Sequence, residues 1–205
     1  MPRLTQIKET KKGRLALFFD GEFAFSLDGQ TFADAALHQD DLLEDWQIEE
    51  LRKKSETRRA LDKAMDYLSL RDHAAGELYQ KLCRRFDAHS AAYAVARAGE
   101  LGLLNDAGFA RRRAAELLRK RKSRREIMQD LNAKGIDRDT AAEVVEELFA
   151  ENDDGENPEL ETARALVVRQ YASKLAAGKR DQVAAALARR GFSHAVIREV
   201  LSNDE

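Results

Sequence analysis

Ile127-Met128-Gln129-Asp130-Leu131-Asn132-Ala133-Lys134-Gly135-Ile136-Asp137 and Val183-Ala184-Ala185-Ala186-Leu187-Ala188-Arg189-Arg190-Gly191-Phe192-Ser193 follow one pattern. Each places apolar residues four apart on one helix face, then a glycine four residues on. An apolar residue and an N-cap candidate follow at once. Gly135 and Gly191 can take the left-handed conformation that ends a helix. Asp137 and Ser193 can then cap the next one. A weaker copy, Leu78 and Leu82 followed by Phe86-Asp87, lacks the glycine. The equivalent leucines Leu82, Leu131 and Leu187 lie 49 and 56 residues apart. A unit that recurs on this scale predicts stacked repeats, and stacked repeats make extended surfaces suited to long partners.

Outward from these turns the period remains helical. Leu61, Met65 and Leu68 form one stripe, and Ala91, Ala94, Val95, Ala98 and Leu101 another. Gly102 breaks that helix and Asn105-Asp106 can start the next, which turns Phe109, Ala110, Ala114, Leu117 and Leu118 inward. Ser123-Arg124-Arg125-Glu126 is a capping box. The helix after Asp137 is expected to bury Ala142, Val145, Leu148 and Phe149. The last unit is expected to bury Ala163, Leu166, Val167, Gln170 and Tyr171, then Val196, Ile197, Val200 and Leu201. The first 27 residues differ: Leu4–Ile7, Leu15–Phe19 and Phe23–Phe25 read as strands, with Asp20-Gly21 as a hairpin turn. This small sheet should dock on a helix from Asp45 to about Lys54, since two or three strands alone are marginal.

The fold expected is therefore mainly α, with tandem three-helix units after a small N-terminal β module. The divisions are residues 1–56 for the strand-rich module and its helix, 57–104, 105–150 and 159–205 for three repeats, and 151–158 for an acidic linker. That linker contains no apolar residue and reads as a hinge.

Of the 205 residues, 43% are hydrophobic and 35% charged, enough for a core under a wet surface. The net charge of −2 conceals segregation. Ten acidic residues and no Lys or Arg lie between Asp20 and Glu50; nine basic residues and only Glu116 lie between Arg111 and Arg125. Nine acidic and no basic residues follow between Ala141 and Glu161, then eight basic to one acidic between Thr162 and Arg198. Alternating blocks in a near-neutral chain suggest a local basic surface, not a polycationic coat. A single cysteine, Cys83, precludes an intramolecular disulfide and fits a reducing compartment. With no apolar run near 18 residues and no signal-peptide pattern, a cytoplasmic protein without membrane contact is expected.

On the helix from Asp106, Arg112 and Arg119 fall opposite the apolar sector, Arg111 on a flank and Arg113 at its margin. Lys120 to Lys122 sit where the helix dipole favours cations; Arg124 and Arg125 open a helix, where it does not. The block is either a solvated face or an anion-binding surface. The candidate partner-binding residues are Arg111, Arg112, Arg119, Lys120, Arg121, Lys122, Arg124 and Arg125, with Lys179, Arg180, Arg189 and Arg190 from the last unit. The four histidines have no metal-ligand spacing, Gly99-Glu100-Leu101-Gly102 is not a phosphate loop, and no motif pairs carboxylates. Neither catalysis nor a cofactor is expected.

Leu68-Ser69-Leu70-Arg71 with Glu77-Leu78-Tyr79-Gln80-Lys81-Leu82, then Leu101-Gly102-Leu103-Leu104-Asn105-Asp106-Ala107-Gly108-Phe109-Ala110, then Leu131-Asn132-Ala133-Lys134-Gly135-Ile136, together resemble the RecX family, bacterial regulators of the RecA recombinase. The resemblance covers about residues 60–150, and 158–202 more loosely. It departs from the family pattern in the missing first-repeat glycine and in the acidic stretches from Glu44 to Glu50 and Glu143 to Glu161. It implies a curved, elongated array of three-helix repeats. It implies a non-catalytic, monomeric regulator in DNA repair and the SOS response that binds in the groove of the RecA nucleoprotein filament. There it would inhibit strand exchange, ATP hydrolysis and co-protease activity, touching DNA within the filament. The alternative is a direct DNA-binding protein of helix-turn-helix type.

Overall fold

The computed structural model describes residues 1–150 and 157–202. It divides into two compact units, Met1–Arg71 with Leu78–Leu103, and Asp72–Glu77 with Leu104–Glu205.

In the first unit, β1 (Leu4–Glu9), β2 (Leu15–Phe19) and β3 (Glu22–Leu27) form an antiparallel sheet in sequence order. Asp20 and Gly21 join β2 to β3 with φ of 50° and 88°, as a two-residue turn matched to strand twist requires. Alternation puts Leu4, Leu17, Phe19, Phe25 and Leu27 on one face, packed with Leu43 and Leu51. A short helix, α1 (Gly29–Asp34), follows, capped by the Asp28 carboxylate.

The next helix corrects the expected boundary at residue 56. α2 runs unbroken from Asp45 to Leu70, because nothing between them interrupts it: there is no glycine or proline, and its two halves bury different surfaces. Leu51 serves the sheet. Ala60 and Ala64 pack in the helical part of the unit, which continues through the later residues of α3 (Ala75–Leu82), from Leu78 on, and α4 (Ala88–Glu100); Ala75 to Glu77 belong to the second unit. The expected stripe of Leu61, Met65 and Leu68 is not the seam. Ala60, Ala64, Ala91, Ala94 and Ala98 are each fully buried, while Met65 is 40% and Leu101 48% exposed. Alanine lets α2 and α4 approach closely and leaves larger side chains at the rim.

The second unit holds α5 (Asp106–Arg119), α6 (Arg124–Ala133), α7 (Arg138–Leu148), α8 (Pro158–Gln170), α9 (Ala172–Ala176), α10 (Arg180–Arg190) and α11 (His194–Ser202). Both glycine turns form as the spacing predicts. Gly135 has φ of 74°, and the Gly135 and Ile136 amides donate to Asn132 and Leu131 carbonyls at 2.9 and 3.1 Å. Gly191, at φ 91°, repeats this with Ala188 and Leu187. Asp137 caps α7 and Ser123 caps α6 in a full capping box. In the middle repeat Ala110, Ala114, Leu117, Ile127, Leu131, Ile136, Val145 and Phe149 share one core. Ala142, expected inward, is exposed; Ala141 and Val144 are buried instead, because the stripe on α7 starts at Ala141 and recurs three and four residues on. In the last repeat Leu160, Leu166, Val183, Leu187, Phe192 and Ile197 form the core, and Gln170, expected inward, is exposed.

Residues 151–156 of the expected linker lie outside the described residues. Asn157 and Pro158, assigned to it by sequence, are instead the cap and first residue of α8: Asn157 Oδ1 accepts from the Glu159 and Leu160 amides. The repeats on either side belong to one compact unit. They meet where Ser123 Oγ donates to the Arg190 carbonyl at 2.6 Å. Ser123 is fully buried, so Ser123→Ala should cost about 1–2 kcal/mol by orphaning the Glu126 amide and that carbonyl, read as a lower melting temperature.

Candidate interaction surface

The basic block folds into α5, the turn after it, and the first turn of α6. Lys120 closes α5 and Arg121 takes a left-handed φ of 61°. The Arg121 and Lys122 amides then donate to Leu118 and Leu117, the same closure that glycine makes elsewhere. The chain thus presents a row of cations across a helix–helix turn.

Six of its nine cations face carboxylates. Arg111 reaches Glu147 at 3.3 Å and Arg112 reaches Asp72 at 2.5 Å. Lys120 pairs with Glu116 at 2.5 Å and Lys122 with Glu126 at 2.7 Å. Arg124 pairs with Glu146 and lies 5.8 Å from the Phe149 ring centroid. Arg113, expected at the margin of the apolar sector, is pinned: Nε and Nη2 donate to the two Asp130 oxygens at 2.8 Å each, and Nη1 to Glu116 at 3.0 Å. The acidic run after Ala141 supplies Glu146 and Glu147, so the two blocks that alternate in sequence meet at two ion pairs within one repeat, while Asp72, Glu116, Glu126 and Asp130 hold the other cations. Most of these pairs are exposed and contribute little stability. Arg119, Arg121 and Arg125 make no ion pair among the described residues.

The last repeat joins this surface at one end. A Cβ on Gly191 would lie 2.8 Å from Arg125 Cβ, so the Arg125 stem rests on the glycine turn. Arg190 donates to Gln170 at 3.0 Å. Burial pushes the Glu126 carboxyl up, but hydrogen bonds from Lys122 and the Ser123 amide, with the charges of Lys122 and Arg190, hold it below the usual range. The structure therefore gathers Lys122, Arg125 and Arg190. It does not bring Lys179 and Arg180 to them: these open α10, about 15 Å along the helix from Arg189 and Arg190.

Asp130 has its carboxyl lowered first by the Arg113 hydrogen bonds, against burial. A lowered folded value adds stability above the unfolded carboxylate pKa of about 4 and loses it as pH falls through the folded value. Asp130→Asn should therefore cost about 1–3 kcal/mol at neutral pH and flatten the acid limb of melting temperature against pH.

Residues 105–145 match the model of the second three-helix domain of RecX, and residues 60–97 that of its first. The chain is 34% identical over 159 residues to Regulatory protein RecX of Lactobacillus gasseri, covering 76% of this chain and 57% of the relative. This chain belongs to the RecX family. It spans little more than half of that relative's length. Against Regulatory protein RecX of Bacillus subtilis it is 28% identical over 212 residues, covering 100% of this chain and 78% of the relative. The fold is shared with a RecX crystal structure at a TM-score of 0.70 and 19% identity, covering 98% of this chain and 100% of the other. RecX from Lactobacillus salivarius gives 0.60 and 19%, over 72% and 96%. Among the described residues of this RecX-family chain, no helix is long and apolar enough to cross a membrane. Sequence reasoning missed the carboxylate clamps. The signal available was the adjacency of oppositely charged blocks within one predicted three-helix unit.

Proposed function

We propose that this chain regulates the RecA recombinase by binding its nucleoprotein filament along the groove, mostly inhibiting the recombinase, ATPase and co-protease activities. The observation that carries this reading is membership of a family whose curated relatives are named regulatory proteins. The repeated three-helix units support it, because linked weak contacts along a helical partner add avidity. The chain acts by binding as a cytoplasmic monomer, not by catalysis. Arg119, Arg121, Arg125, Arg189 and Arg190 face the filament or its DNA in this reading, while Arg111, Arg112, Lys120, Lys122 and Arg124 are largely neutralised. Lys179 and Arg180 form a second anchor.

Direct DNA reading is favoured by Arg124 and Arg125 in the first turn of α6. Against it, Arg124 is held by Glu146, which leaves only Arg125 of the two without an ion pair among the described residues. Titration at physiological salt distinguishes the two readings. Binding should be much tighter to RecA on single-stranded DNA with nucleotide than to DNA alone; equal affinity would favour the second reading.

A further inference from the structure

The turn between β1 and β2 and the middle of α2 line an open cleft of about 640 Å3 in the first unit. Lys11, Lys12, Arg14, Arg52 and Arg59 line it against one carboxylate, Glu56. This basic patch is separate in sequence from the surface described above and lies on the strand module.

Arg14 is its fixed centre. Its side chain is 18% exposed. Nη2 donates to the Ser26 carbonyl at 2.9 Å and to Ser55 Oγ at 3.2 Å, and Nε donates to Ser26 Oγ at 3.3 Å. Ser55 Oγ in turn donates to the Ser26 carbonyl at 2.6 Å. These partners are neutral. Asp62 lies 3.9 Å from Nη1, beyond hydrogen-bond length, and sits 3.3 Å from Arg58. Burial lowers the Arg14 pKa and Arg59 and Arg58 lower it further, against Asp28 and Asp62. The guanidinium is thus held in place with its charge incompletely matched. Lys11 and Lys12 stand exposed at the tip of a turn closed by Gly13, and make no ion pair among the described residues. Phe23 also lines the cleft, 61% exposed on edge strand β3, its ring centroid 5.7 Å from that of Phe18 at an interplanar angle of 68°.

We infer that this cleft binds a single-stranded nucleic acid, with phosphodiester groups among Lys11, Lys12, Arg14 and Arg59 and a base stacked on Phe23. Glu49 lies 3.7 Å from Arg52 and Asp62 3.9 Å from Arg14, but Lys11, Lys12 and Arg59 make no ion pair among the described residues, and that surplus of cations selects a polyanion. Arg52 and Arg59 are seven residues apart on one helix, about 10 Å, so the charges suit a chain of anions more than one ion. The exposed ring separates nucleic acid from an acidic polypeptide, because a base offers a π-face and a glutamate side chain does not. Stacking needs an unpaired base, which separates a single strand from a duplex. The inference does not depend on the filament reading, and its test contains no RecA.

The probe is a fluorescein-labelled oligothymidylate of about ten nucleotides, within the range one small β module covers, titrated against the full chain by anisotropy. The triple variant Lys11→Gln/Lys12→Gln/Arg59→Gln should lower the log–log salt slope by about 2, at roughly 0.7 per lost contact. Phe23→Ala should weaken binding about tenfold with the salt slope kept, since one base–aromatic stack is removed. Melting temperatures within about 2 °C of the parent's would show the fold intact, as these side chains are exposed. Irradiation of a 5-iodouracil-substituted strand with the full chain should place an adduct on the peptide containing Phe23. Adducts confined to residues 111–125 or 179–190, or an unchanged slope in the triple variant, would overturn the assignment. So would competition by oligoglutamate of equal charge as strong as that of the unlabelled strand.

Discussion

Gly135→Val should unfold the second unit about 10 °C early. Two costs coincide at this position. Its φ of 74° is one that a β-branched residue adopts only with strain, about 1–2 kcal/mol. A Cβ there would also lie 2.6 Å from the Cα of Gly76 in α3, where two backbones touch and neither can yield as a side chain could. Overpacking of this kind costs about 1–3 kcal/mol more, and each kcal/mol is worth roughly 2–4 °C in a chain of this size. Beside this contact Lys134 Nζ reaches Glu77 at 2.8 Å, and the Glu77 side chain is only 11% exposed, so the joint has no slack. Three other glycines calibrate the effect. Gly76→Ala should show the clash alone. Gly102→Ala, at φ 70° with nothing within 4 Å, should show the strain alone. Gly99→Ala, on the exposed face of α4 with open space around it, should stabilise by about 0.5–1 kcal/mol. Gly76→Ala with Gly135→Ala should cost less than the sum, since one contact is relieved once. A melting temperature for Gly135→Val equal to that of Gly102→Ala would refute the backbone contact as a determinant of stability.

Neutralising Arg119, Arg121 and Arg125 should weaken filament binding about 10- to 150-fold, at roughly 0.5–1 kcal/mol for each cation that makes no ion pair among the described residues. The substitutions follow from the surroundings of each side chain. Arg121→Gly relieves a left-handed residue and should raise stability, so loss of binding cannot be ascribed to unfolding. Arg125→Gln keeps the stem that rests on Gly191, and Arg119→Gln changes an exposed side chain. The opposite sign is expected from Glu146→Gln with Glu147→Gln. These release Arg124 and Arg111, so affinity and salt slope should both rise, with stability within about 0.5 kcal/mol of the parent. Affinity unchanged across salt concentrations in both variants would make the whole block a solvated face.

Much of the fold is legible along the chain. The glycine turns at Gly135 and Gly191, the caps at Ser123 and Asp137, and the Asp20-Gly21 hairpin all form, because each is fixed by residues within about one helical turn or one tight turn of one another. What depended on distance in sequence was not legible. Half of the α2–α4 seam is the exception, since Ala91, Ala94 and Ala98 are buried as their spacing predicts; on α2 the seam is Ala60 and Ala64, whose value lies in close approach and not in hydrophobic bulk, and not the larger Leu61, Met65 and Leu68. The boundary at residue 56 failed because the strand module and the first repeat share one helix.

The same division holds for the candidate surface. Sequence by itself determined that Arg111 to Arg125 forms a basic row and that Arg112 and Arg119 point away from the core, since helical period fixes direction. Only the tertiary structure decided which of those cations keep their charge available. Arg112 finds Asp72 and Arg111 finds Glu147, both far along the chain, and Arg14 becomes the centre of a second basic cleft through Ser26 and Ser55. A charge acts through its three-dimensional neighbours within a few ångströms, and those are set by packing between elements that local sequence does not encode.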